Sequence, residues 1–387
     1  MPIVETITES PNKKKKIRVI EVEGTPFERG YQHGQQCRED IRRYTEARID
    51  LARQKKWSGH DLTREQVLEI ANQCIPSHEA YAPDLMEELR GVSEATDLSL
   101  EELIIVGGFT DFVDVLYNAF PRDNDDNVNE EKKNDRIPID DCTAFLVPDQ
   151  MAVDGMGFFG QTWDMHKSSL PFVILLHIKD PRAESLVFTT AGCLGQIGMN
   201  EHGVCIGINN LVAKDGQIGV TWNFVVRKAL QQKTATDALR CVTEAKLAGA
   251  HNFQIFDKSG IGYNVEAMST RYVVTPLKET PISHTNHCLL SETLKVAQKR
   301  PEELQICSEE RLELANDLLR ENNAPISIGN LIALTRTPPI LTYPEPPFDT
   351  ASCGAAIMQP KSLTFWALDG LPDQNEYEEF SLAHNNK

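Results

Sequence analysis

Cys142 stands at a junction. Asp140 and Asp141 precede it, and Thr143 opens the apolar run of "CTAFLVP" after it. An ordinary core cysteine has apolar neighbours on both sides. If the Asp141–Cys142 peptide bond were cut, Cys142 would become an amino terminus and would carry a thiol and an α-amine on one residue. A free α-amine has a pKa of about 8, so near neutral pH part of it is unprotonated and serves as a base. The thiolate is the stronger nucleophile. One residue would then supply both groups, and no catalytic histidine is required. The chain could make the cut itself. Cys142 Sγ attacks the Asp141 carbonyl, the peptide becomes a thioester, and water hydrolyses it.

The elements around this junction change character on either side of it. Three helix starts precede it, each with a capping box: Thr25 with Glu28, and Pro26 at the first helical position; Thr63 with Gln66; Ser99 with Glu102. Between Pro121 and Arg136 the single large apolar residue is Val128, so residues 121–141 read as a mobile acidic surface loop with no face to bury. Strands follow Cys142: "CTAFLVP", "GFFGQTWDM", "PFVILLHIKD", "SLVFTTAG" and "GVCIGINNL". Helical patterns return in "WNFVVRKALQQ", "TATDALRCVTEAKLA" and "SEERLELANDLLREN". Hairpins are expected in "HNFQIFDKSGIGYNVEA" and "SCGAAIMQPKSLTFWALDG", with a strand in "RYVVTPL". Antiparallel sheets covered by helices fit this order.

Bulk properties narrow the function. The chain has 387 residues, enough for a large core, and a formal net charge of -18. A surface that acidic repels phosphate backbones, so nucleic-acid binding is not expected. No run approaches the roughly 20 apolar residues of a membrane span, and no membrane partner is expected. Lys13 to Lys16 are followed by no apolar stretch, and "HNNK" matches no simple address, so a cytoplasmic protein is expected. The nine cysteines form no CxxC pair and are expected to be free thiols in a reducing compartment.

Several segments taken together resemble the acyl-CoA:6-aminopenicillanate acyltransferase family, a cysteine branch of the N-terminal-nucleophile hydrolases. They are "GTPFERGYQHG", "CTAF", "GQTWD", "GMNEHGVCIGINNL" and "SHTNHCLLS", in the family's order and approximate spacing. The resemblance implies that Cys142 is the nucleophile exposed by self-cleavage after Asp141. It implies that Asp164 orients the new α-amine and that Asn286 is the oxyanion-hole amide. Asn209 or Asn210 would give a second donor through its backbone N–H. The implied fold is α+β, a four-layered αββα sandwich of two antiparallel sheets between helices. Residues 1–141 would form a helical alpha chain that stays associated with a nucleophile-bearing beta chain, residues 142–387. No cofactor and no metal are implied.

Taken singly, these residues read more plainly. Asp164 reads as a turn cap and Asn286 as a turn residue. His284 and His287 flank Asn286 without the further ligands that a metal site needs. Arg227, Arg311 and Arg336 read as surface charges or as holders of a substrate carboxylate. Tyr31 and His33 read as packing residues. The chain departs from the family in having Asp141 where glycine usually precedes the nucleophile. It also has Phe348-Asp349 where the penicillin-directed enzyme carries a Ser-Arg pair.

The expected function is a self-processing cysteine amidohydrolase that cleaves a small N-acyl amine or amino-acid conjugate. An acyl-CoA-dependent N-acyltransferase is the alternative. Two further readings stay open: an uncleaved papain-like enzyme served by His166 or His284, and an unprocessed binding protein that has lost catalysis.

Overall fold

The computed structural model describes residues 15–120, 140–320, 325–346 and 348–383. Strands β1 (Val19–Glu23), β4 (Val173–Lys179), β5 (Ser185–Thr190), β6 (Ile197–Asn200), β7 (Cys205–Leu211), β8 (Ala250–Phe256), β9 (Gly262–Ala267) and β10 (Tyr272–Pro276) form one sheet in that spatial order. The second sheet runs β11 (Ile282–His284), β2 (Asp140–Val147), β3 (Phe158–His166), β12 (Thr350–Gln359), β13 (Thr364–Asp369) and β14 (Glu378–Ser381). Helices α1 (Pro26–Gln36), α2 (Arg38–Ala52), α3 (Lys55–Ser58), α4 (Arg64–Tyr81), α5 (Pro83–Thr96), α6 (Leu100–Gly107) and α7 (Phe109–Ala119) come before the second strand. Helices α8 (Trp222–Ala229), α9 (Ala235–Thr243), α10 (Ser291–Leu294), α11 (Glu302–Arg320) and α12 (Ile328–Thr335) come later.

Alternating side chains divide the sheets between three apolar layers. Along β2, Cys142 and Leu146 point inward, where Phe159 and Trp163 of β3 meet Leu175 and Phe188 of the first sheet. Phe145 and Val147 point outward and pack under α11 and α12 through Ala315, Leu319 and Leu331. On the far side of the first sheet, Ile174, Leu176 and Ile206 pack against α2, α5, α8 and α9. The order is helix, sheet, sheet, helix, as expected. The three expected capping boxes are all present. One strand breaks the antiparallel pattern: β1 pairs parallel with β4. Its alternation, with Ile20 and Val22 buried between exposed neighbours, is that of an edge strand within a stretch that otherwise reads as helix.

The opening motif is a packing device. Gly30 of α1 and Gly91 of α5 let these two helices touch backbone to backbone: a Cβ on Gly30 would lie 1.7 Å from the Glu88 carbonyl oxygen. Around that contact Arg29, Glu88, Asp180 and Arg227 form a buried ion cluster, with Arg29 3.1 Å from Asp180 and Arg227 3.4 Å from Glu88. Arg227 is therefore a core residue, not a surface charge. His33 is buried too, and its Nε2 accepts from Gly192 N–H at 3.2 Å. Burial lowers its pKa to about 4. Residues 121–139 of the expected acidic loop lie outside the described residues. At the loop's end, β2 already includes Asp140 and Asp141, and Asp141 is buried.

Candidate active site

Two strands and one helix converge on Cys142. Strand β11 runs antiparallel to β2 with Leu146 opposite Ile282 and Ala144 opposite His284. Two residues further, the same register carries Asn286 opposite Cys142, just past the end of β11. There the Asn286 side chain continues the ladder, and its Oδ1 accepts the Cys142 backbone N–H at 2.6 Å. This nitrogen is the one that cleavage would turn into an α-amine. The Asn286 amide also donates from Nδ2 to the Asn210 carbonyl at 3.2 Å, which ties the site to β7 of the other sheet.

The second clamp comes from α11. Arg311 Nη1 donates to the Cys142 carbonyl at 2.7 Å and to Thr143 Oγ1 at 3.2 Å. Its Nη2 donates to Asp141 Oδ1 at 2.7 Å and to Asn286 Oδ1 at 3.2 Å. Arg300 Nη2 donates to the same Asp141 oxygen at 2.9 Å, and its Nη1 donates to the Asn286 carbonyl at 2.7 Å. One turn before Arg311, Ser308 Oγ accepts from Asn286 N–H at 3.0 Å. Two guanidinium groups and one helix thus grip the three residues around the junction.

Asp164 sits directly across β3 from Asp141, so both carboxylates lie on the outer face of the sheet. Like charges placed opposite one another repel, and Arg311 answers both. Burial opposes its charge, but Asp141 and, less strongly, Asp164 hold its pKa above the ordinary value. Arg311 is fully buried, which corrects the expectation of a surface charge. Arg336 is the remaining arginine of that group; it donates to the Pro372 carbonyl at 2.7 Å, away from these contacts.

The thiol points to the other face. Cys142 is 1% exposed, and Sγ lies 3.8 Å from the Asp164 carbonyl oxygen. It faces a cavity of about 20 Å³ shared with Trp163, Met165, Arg48, Phe109 and Thr110, room for roughly one water. Asn286 and Arg300 stand in the wall of a much larger cavity of about 630 Å³.

The remaining expected residues have structural work. Asn209 is buried, and its Oδ1 accepts from Asn252 Nδ2 at 3.3 Å. Asn210 is the member of that pair that touches Asn286, and it does so through its backbone carbonyl. His284 holds the loop that carries Asn286. Both its ring nitrogens face acceptors, Glu266 at 3.0 Å and the Thr285 carbonyl at 2.8 Å. Glu266 also accepts the Leu289 N–H at 2.7 Å. Burial pushes the Glu266 carboxyl up, but these partners outweigh it and its pKa falls. His287 sits on Ser308 at 2.8 Å, and burial lowers its pKa to about 4. His166 bonds Ser168 at 2.9 Å. Among the described residues no cluster of His, Cys, Asp and Glu is arranged to hold a metal ion. No helix among them is long and apolar enough to cross a membrane.

Arg300 and Ser308 were not expected in the site. Arg311 was legible in principle. The buried positions of α11 are Leu304, Ser308, Arg311, Ala315 and Leu319, so an arginine occupies the apolar stripe of an amphipathic helix.

Comparison with known proteins agrees with the motifs. The family model described as Acyl-coenzyme A:6-aminopenicillanic acid acyl-transferase matches residues 151–336. That span contains Asp164, Asn209, Asn210, Asn286 and Arg311, and begins after Cys142. A relative from Emericella nidulans, the acyl-coenzyme A:6-aminopenicillanic-acid-acyltransferase 40 kDa form, is 24% identical over 287 residues, covering 73% of this chain and 72% of that one. Among solved structures, a mutant conjugated bile acid hydrolase of Clostridium perfringens is 13% identical, with a TM-score of 0.40, covering 63% of this chain and 100% of that one. Penicillin V acylase of Agrobacterium tumefaciens is 12% identical, with a TM-score of 0.41, covering 62% of this chain and 86% of that one. By the family model and the Emericella relative, this chain is similar to the acyl-coenzyme A:6-aminopenicillanic acid acyl-transferase family that its motifs indicated.

Proposed function

We propose that this protein is a self-processing cysteine amidohydrolase of the N-terminal-nucleophile kind. The observation that carries the reading is the 2.6 Å bond from Cys142 N–H to Asn286 Oδ1. A side chain is committed to the one backbone nitrogen that cleavage would convert into a catalytic base. In maturation, Cys142 Sγ attacks the Asp141 carbonyl, the C–N bond breaks, and the nitrogen takes the thiol proton. Water then hydrolyses the thioester. In turnover, the α-amine removes the thiol proton and passes it to the leaving amine of the substrate while Sγ holds the acyl group. Asn286 keeps the α-amine in position through Oδ1. Its amide has two N–H donors, and the one not directed at Asn210 serves the developing oxyanion. Losing such a donor costs roughly 3–4 kcal/mol of transition-state stabilisation.

Residues 1–141 would then be an alpha chain that stays in place. The burial of Arg29 against Asp180 and of Asp111 against Trp222 N–H supports that association. The substrate is a small N-acyl amine or amino-acid conjugate. The Emericella relative favours a second reading, in which an amine replaces water as the acyl acceptor and acyl-CoA is the donor.

The test is the intact mass of purified protein under denaturing conditions, beside Cys142→Ala. Two fragments, one ending at Asp141 and one beginning at Cys142, are expected in the wild type alone. An uncleaved, inactive chain in both overturns the reading.

A further inference from the structure

We infer that the acyl group accepted at this site carries a carboxylate two carbons from its reacting carbonyl, a succinyl-type acid, held by Arg300 and Arg311. This deepens the proposed function and rests on it. In maturation the acyl group is the chain's own residue, Asp141, carried as a thioester on Sγ. Turnover forms the same kind of thioester on the same sulfur. The substituent of the incoming acyl group therefore falls where the Asp141 side chain lies.

That position is built for an anion. Asp141 Oδ1 receives Arg300 Nη2 at 2.9 Å and Arg311 Nη2 at 2.7 Å, from guanidinium side chains that are 3% and 0% exposed. Both guanidinium groups are held from elsewhere as well, by the Asn286 carbonyl and the Cys142 carbonyl. Cleavage makes Asp141 a chain end that leaves this place while the rest of the alpha chain stays packed. Asp164, opposite Asp141 on β3, remains, but the carboxylate that both guanidinium groups share is gone, so an acyl group that brings one back is favoured. From its carbonyl carbon, the Asp141 side chain reaches the guanidinium groups through Cα, Cβ and the carboxylate carbon, and a succinyl group has that same carbon chain. A cavity of about 630 Å³ has Arg300, Asn286, Lys214 and Lys299 in its wall, so it borders the cationic end of this position. In each turnover Sγ bonds the succinyl carbonyl, the amine leaves with the proton, and water releases the diacid and the thiol.

The test compares kcat/KM of the mature protein on N-succinyl-, N-glutaryl- and N-butyryl-4-nitroanilide. Charge-assisted bonds of this kind predict a succinyl preference over butyryl of at least about tenfold, with glutaryl between them. In Arg300→Met, with Arg311 left as the single partner, the succinyl-to-butyryl ratio should fall by at least about threefold, and Arg300→Lys should recover part of it. Equal rates on succinyl and butyryl substrates overturn the inference. The proposed function survives that result if hydrolysis still disappears in Cys142→Ala. A chain that neither cleaves nor turns over any anilide overturns both. If Arg300→Met does not fold, or the cleaved protein is slow on every anilide, binding of succinate against butyrate decides. Succinate must bind at least about tenfold more tightly.

Discussion

Replacing Arg311 with Met, in a Cys142→Ala background that keeps every variant uncleaved, removes the donor that joins four groups. Asp141 Oδ1, the Cys142 carbonyl, Asn286 Oδ1 and Thr143 Oγ1 all receive it within 3.2 Å. Breaking a buried ion pair by removing one partner costs roughly 3–5 kcal/mol. Arg300 still reaches Asp141 at 2.9 Å, so the low end, about 3 kcal/mol, is expected. A chain of 387 residues has an unfolding entropy near 0.8 kcal/mol/K, taken at roughly 2.1 cal/mol/K per residue. The loss therefore lowers Tm by roughly 4 °C. Differential scanning calorimetry of the single and double variants with Asp141→Asn gives the coupling, expected at about 2 kcal/mol. A Tm change under about 1 °C, or effects that simply add, would refute the clamp.

Three further outcomes follow from named contacts. Asn286→Ala loses the acceptor for the Cys142 N–H and a donor amide. Self-cleavage, followed on gels from freshly made protein, should slow by roughly 100- to 1000-fold, and unchanged processing would remove Asn286 from the mechanism. His33 and His78 are each held near 4 by burial. Because the unfolded imidazole titrates near 6.5, the unfolded chain binds protons that the folded chain refuses between about pH 6.5 and pH 4. Their contribution to stability is complete above that window and is lost as pH falls through it, at about 1.4 kcal/mol per pH unit for each histidine. Denaturant midpoints that stay flat from pH 7 to pH 5 would contradict this. Gly30→Ala drives a Cβ to 1.7 Å from the Glu88 oxygen and should cost about 3 kcal/mol or more in thermal unfolding. Gly155→Ala, where nothing lies within 4 Å but φ is +65°, should cost only about 1 kcal/mol. Equal melting points for the two would deny the close α1–α5 contact.

Much of this fold is local, and local features are legible in sequence. Thr25, Thr63 and Ser99 cap helices because a side-chain oxygen three residues before an acid or amide satisfies a first-turn N–H. Short apolar runs bounded by Gly, Asp and Pro mark β2 and β3 as strands, and both are buried along nearly all their described length. The cysteine at the junction, and the resemblance carried by "GQTWD" and "SHTNHCLLS", indicated Asp164 and Asn286.

What only the tertiary structure decided is who answers whom. Asn286 lies 144 positions from Cys142 and meets it because the β2–β11 register carries it there. Arg311 and Arg300 lie 170 and 159 positions from Asp141. The stripe of α11 marks Arg311 as facing inward, but nothing local says that this face meets the outer face of β2, and Arg300 reads as an ordinary charge. Asp141 reads in sequence as the end of an acidic loop. In the fold it is a buried carboxylate shared by two guanidinium groups, because a charge can enter a core only where distant opposite charges are brought to meet it. Sequence determined the elements and the junction cysteine they present. The packing of sheet against helix decided its electrostatic surroundings, since those depend on distances between residues that the chain's order does not contain.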